Sequence, residues 1–106
     1  MPDMRLCVLV IKEDVELAKF TPEAHYALGM ALMVATMHGL SELVLTSVTD
    51  GVHIPDSLHP GGGAFDVRRW NIPNPQEYTN DLGAVLGPDF DVVLELSHVH
   101  VEHDPR

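Results

Sequence analysis

Two short β-forming runs near the C-terminus, Phe90 to Glu95 and His98 to Glu102, are separated by only Leu96-Ser97. A connection of two residues cannot carry the chain to a parallel neighbour, so the pair is expected to close as an antiparallel hairpin. Glu95 then lies across from His98, Leu94 from Val99, and Val93 from His100. Strand alternation sorts the faces. Val92, Leu94, Val99 and Val101 share one face, which reads as core, while Glu95, His98 and His100 share the other with Val93. Neither Leu96 nor Ser97 readily takes a positive φ, so a longer or bulged turn would shift this pairing.

Upstream, Arg5 to Ile11 is aliphatic and β-branched and reads as a first strand, which the charged Lys12 to Glu16 ends. Thr21-Pro22-Glu23 is a helix start: a hydroxyl cap, a proline at the first position and an acid in the first turn. The helix runs from Pro22 to about His38, with Ala24, Leu28, Ala31, Leu32 and Ala35 as its apolar stripe and Gly39 as its stop. Gly29 inside it costs about 1 kcal/mol against alanine, which points to close backbone packing there. Leu43 to Val48 reads as a second strand and Phe65 to Arg69 as a third, with Phe65 and Val67 facing inward and Asp66 and Arg68 facing away. Asn74, Pro75 and Glu77 begin a second helix, whose apolar face is Tyr78, Leu82, Val85 and Leu86 and which Gly87-Pro88 ends. The order β-α-β-β-α-β-β predicts an α+β fold over a single domain spanning 1–106, with two helices on one face of a mostly antiparallel sheet.

A chain of 106 residues that is 45% hydrophobic can bury a core without disulfide support, and Cys7 alone excludes both an internal disulfide and a multi-cysteine metal site. Cys7 reads as a small buried hydrophobe. The net charge of −10 argues against nucleic acid and against an anionic membrane surface as partners. No apolar run approaches the roughly 20 residues of a membrane span, and no signal segment opens the sequence. A soluble cytoplasmic product without a signal peptide is the expectation.

The chemistry-bearing residues fall in two places. Ser57-Leu58-His59-Pro60-Gly61-Gly62-Gly63-Ala64-Phe65-Asp66 sets a histidine and an aspartate seven positions apart around a glycine run. The polar face of the hairpin adds Glu95, His98 and His100. Zinc takes imidazole and carboxylate ligands, and a catalytic site holds it with three while leaving a fourth position open. His59, Asp66 and His100 make such a set. Glu95 is placed as the general base outside it, and His98 as an oxyanion or substrate contact. A His-x-His on a strand is equally compatible with a plain polar face. His53 could line the pocket or serve as an alternative ligand, and Arg68 could orient a ligand, bind a substrate carboxylate or form a surface ion pair. His25 and His38 read as exposed or capping residues, His103 as a solvated tail residue, and Trp70 as core or pocket wall.

The run from Ser57-Leu58-His59 through Gly63-Ala64-Phe65-Asp66 resembles the zinc signature of the D-alanyl-D-alanine carboxypeptidases and L-alanyl-D-glutamate endopeptidases, and is similar to the corresponding stretch of the hedgehog signalling domain. The resemblance reaches from Thr46–His53 to the His98-Val99-His100 pair, about the second half of the chain. It is strongest to small phage-encoded members, through Asp91 to Glu95 and His98 to Pro105. It implies a hedgehog-like peptidase fold, Zn2+ held by His59, Asp66 and His100, and Glu95 as base. Three features depart from the family pattern: Pro60 follows His59 where an aromatic is usual, Leu96-Ser97 stands where relatives have Gly-Asp, and no upstream arginine matches the residue that grips a substrate carboxylate. With Ser57, Arg68 and His53 as substrate contacts, the implied function is a metallopeptidase hydrolysing peptidoglycan stem peptides in cell-wall degradation. The alternative is a non-catalytic, zinc-stabilised binding or virion-structural module, and a third reading is a metal-free scaffold.

Overall fold

The computed structural model describes residues 6–49 and 63–105. Their order is β1 (Val8–Ile11), α1 (Pro22–Met37), β2 (Glu42–Thr49), β3 (Ala64–Arg68), α2 (Pro75–Leu86), β4 (Phe90–Leu94) and β5 (His98–His103), with one 3-10 turn at Leu17–Lys19 before α1. The strands form a single five-stranded sheet in the order β1-β2-β3-β5-β4. This is an α+β fold, but the sheet is mixed, which corrects the expectation of a mostly antiparallel one. β1 runs parallel to β2, with Val8 opposite Glu42 and Ile11 opposite Leu45. The reason is α1: its length carries the chain back across the sheet, so β2 can enter in the same direction as β1.

Both helix starts follow from their caps. The Thr21 hydroxyl accepts from the Ala24 N–H at 3.1 Å, and Pro22 occupies the first position. The Asn74 side chain accepts from the Glu77 N–H at 3.1 Å, and its amide donates to the Glu77 carboxylate at 3.0 Å, so the cap and the first-turn acid hold each other. Gly39 and Gly87 end the helices with φ of 75° and 83°, a region where a Cβ is strained.

One core lies between the helices and one face of the sheet. α1 contributes Ala24, Ala27, Leu28, Ala31, Val34 and Ala35, and α2 contributes Tyr78, Leu82 and Leu86. They meet Leu43, Leu45, Phe65, Val67, Val99 and Val101, all fully buried. The buried Tyr78 hydroxyl donates to the Ala31 carbonyl at 2.9 Å and ties the two helices together. Burial pushes its pKa well up. Cys7 is buried in this core, and burial raises its thiol pKa. Val85 is exposed instead of joining the apolar face of α2, where the buried Thr79 takes part. Gly29 is exposed, and a Cβ there would meet nothing within 4 Å, so close packing is not its role. Trp70 is 74% exposed, so it is not core, and it lies under the Arg68 guanidinium at 3.7 Å. Among the described residues, no helix is long and apolar enough to cross a membrane.

Candidate metal centre

The hairpin adopts the register read from its two-residue connection. Val93 pairs with His100, Leu94 with Val99, and the Glu95 N–H donates to the His98 carbonyl at 2.8 Å. No described non-glycine residue has positive φ, so Leu96-Ser97 turns without the left-handed geometry favoured in tight hairpins. The Arg69 guanidinium donates to the Glu95 carbonyl at 2.7 Å and fixes the turn from outside. β5 then pairs with β3, placing Asp66 opposite His100 and Arg68 opposite His98. Val99 and Val101 point into the core, so Asp66, His98 and His100 face away from the helices on a rigid sheet.

Asp66 is the hub. Its Oδ1 lies 2.7 Å from His100 Nδ1 and 3.6 Å from His98 Nε2. Ser47 Oγ donates to Oδ2 at 2.7 Å. Beyond them, His98 Nε2 is 3.6 Å from Glu95 Oε1, His98 Nδ1 is 3.0 Å from Ser97 Oγ, and His100 Nε2 is 3.2 Å from Glu102 Oε1. Burial alone would raise the Asp66 pKa. The hydrogen bonds from His100 and Ser47 and the charges of both histidines outweigh burial and hold it below its ordinary value. His100 moves the other way, to about 9, chiefly through its hydrogen bond to Asp66, helped by Glu102 and opposed by burial. In the metal-free protein His100 is therefore an imidazolium clamped between two carboxylates.

Two of the three sequence-assigned ligands, Asp66 and His100, are brought together, with Glu95 and His98 next in line. His59, the third, lies outside the described residues, as do Ser57 and His53. Arg68 shares the Asp66 face, but its guanidinium pairs with Glu42 Oε1 at 3.0 Å and donates to Asn71 Oδ1 at 3.0 Å. His38 caps α1 and meets Asp81 at 2.8 Å, and His25 packs against the Phe20 ring. His103 is no solvated tail residue: it ends β5 with its ring 5.0 Å from that of Phe90.

Two contributors escaped the sequence reading. Glu102 was legible, since His98, His100 and Glu102 alternate on one strand. Ser47 was not. A register shift between Leu45 and Ser47 inserts Thr46 as an extra residue, so Leu45 opposes Val67 while Ser47 opposes Asp66. The bulge turns Ser47 from the core face onto the polar one. The only trace is a change of parity, with Leu43 and Leu45 packing inward before it and Val48 after it.

Asp66 and His100 are donors of the kinds zinc accepts, but among the described residues no third His, Cys, Asp or Glu completes a compact set with them. His98 Nε2, 3.6 Å from Asp66 Oδ1, borders the pair without belonging to the assigned ligand set. A metal held by both would take the place of the proton that Asp66 and His100 share at 2.7 Å. Glu102 on the far nitrogen of His100 is the outer carboxylate that metal-bound imidazoles usually have. Ser47 bonds the aspartate and not an imidazole, so it is not placed as a nucleophile. No family model, curated protein or solved structure matches this chain.

Proposed function

We propose that the chain is a zinc-dependent peptidase acting on peptidoglycan stem peptides, as a D,D-carboxypeptidase or L-alanyl-D-glutamate endopeptidase. The observation that carries the reading is the meeting of Asp66 Oδ1 and His100 Nδ1 at 2.7 Å across neighbouring strands, with His98 and Glu95 beside them. Asp66 and His100 would hold the ion together with His59, the last assigned by the sequence signature. Bound there, zinc would acidify a water and polarise the scissile carbonyl. Glu95, half-exposed at the turn, takes the proton from the attacking water. His98, with Nδ1 engaged by Ser97, presents Nε2 toward the reacting carbonyl oxygen and donates to it as negative charge develops. Ser57 and His53 are assigned to substrate contact, and Arg68 borders the site from β3.

Removing the base without removing the ligands is the discriminating test. Glu95→Gln is expected to retain zinc and to lose at least about a hundredfold in hydrolysis of purified muropeptides, the usual scale for a lost general base. Asp66→Asn and His59→Ala should lose both zinc and activity. The second reading, a zinc-stabilised binding module, draws on the Asp66–His100 contact tying β3 to β5. Under it, chelation lowers the melting temperature while Glu95→Gln changes nothing measurable.

A further inference from the structure

A second set of donors gathers where the end of α1 meets the start of α2. His38 is the C-terminal cap of α1, while Glu77 and Asp81 lie four residues apart on one side of α2. One ligand atom from each falls within 4.8 Å of the other two. His38 Nε2 is 2.8 Å from Asp81 Oδ2, and its side chain is only 14% exposed. The ring is oriented by an edge-on contact with Tyr78, centroids 5.8 Å apart at 84°. Glu77 is held by the Asn74 amide at 3.0 Å. The three donors are thus positioned by contacts that owe nothing to an ion. They share the lining of an open groove with Met37, Pro73 and Asn74, and no lysine or arginine is among these lining residues. The C-terminal end of α1 adds the negative pole of its dipole to the same place.

We propose that His38, Glu77 and Asp81 form a second site, for a divalent transition metal of the zinc–nickel class. The single imidazole sets the class, because magnesium and calcium prefer all-oxygen shells whereas zinc and nickel accept nitrogen with carboxylate. The ion takes the place of the His38–Asp81 proton and bridges the two helices. The acidic trio Asp91, Glu102 and Asp104 also gathers on β4, β5 and the chain beyond, but it has no nitrogen donor to single out such a metal. The proposal does not depend on the peptidase reading.

The test removes the sheet-face ligands first. A protein carrying Asp66→Asn and His100→Ala is titrated with zinc by calorimetry, its folding checked by helical circular dichroism. One equivalent should bind, excess magnesium or calcium should not displace it, and adding His38→Gln or Asp81→Asn should weaken it by about tenfold or more. No binding in the parent double variant, or undiminished binding with His38→Gln, overturns the site. A second measurement uses the unaltered chain: paramagnetic nickel should broaden the amide resonances of residues 37–39 and 77–81. Sharp resonances there under saturating nickel also overturn the site. Failure of the peptidase reading would instead show as absent hydrolysis with nickel broadening intact.

Discussion

At the residue scale, the Asp66–His100 pair shapes how the protein answers to pH. Without metal, the folded pKa of His100, about 9, stands above its ordinary 6.5, so protonation favours the folded state. That stabilisation is complete below pH 6.5 and is lost as pH rises through about 9. The Asp66 pKa is held below 3.8, so its contribution is present above 3.8 and lost as pH falls further. Urea midpoints measured in chelator should therefore plateau between these limits and fall on both sides. The alkaline fall should vanish in His100→Gln, and a flat alkaline limb in the unaltered protein would refute the imidazolium clamp. At the proposed site zinc would displace the same proton, so its affinity should rise about tenfold per pH unit between 6.5 and 9, one proton released per ion.

At the element scale, what could be read ahead was what local geometry forces. The hairpin register followed because two residues allow essentially one closure, and Asp66 fell on the outer face because Phe65 and Val67 must go inward. Both caps were legible for the same reason: a side-chain oxygen and a proline occupy fixed positions relative to the first turn. The parallel entry of β2 beside β1 was not, because no pattern within either strand records which neighbour it meets. Nor was the bulge at Thr46, whose effect on Ser47 exists only once β3 lies alongside. Gly29 illustrates a propensity argument taken too far, since its helical position is open to solvent. Gly29→Ala should stabilise the protein by about 1 kcal/mol in chemical denaturation. Gly39→Ala, at φ 75°, should destabilise it by about 1–2 kcal/mol.

For the whole molecule, the division of labour is between two faces of one sheet. The face under α1 and α2 supplies a closed apolar core, and the other carries Asp66, His98 and His100 on strands that cannot shift without disturbing Phe65, Val67, Val99 and Val101. Rigidity of this kind is what a ligand set needs. A net charge of −10 adds a field that draws cations toward the protein and weakens with salt. Saturating zinc should raise the melting temperature, and Asp66→Asn should abolish the part of that rise that belongs to the sheet face. The most direct measurement is chromatographic: zinc-loaded protein is incubated with defined peptidoglycan stem peptides, then stripped with chelator and reloaded. Cleavage of one stem-peptide bond, abolished by the chelator and restored by zinc, is the expected result. A folded, zinc-loaded protein that leaves every stem peptide intact would contradict the assignment.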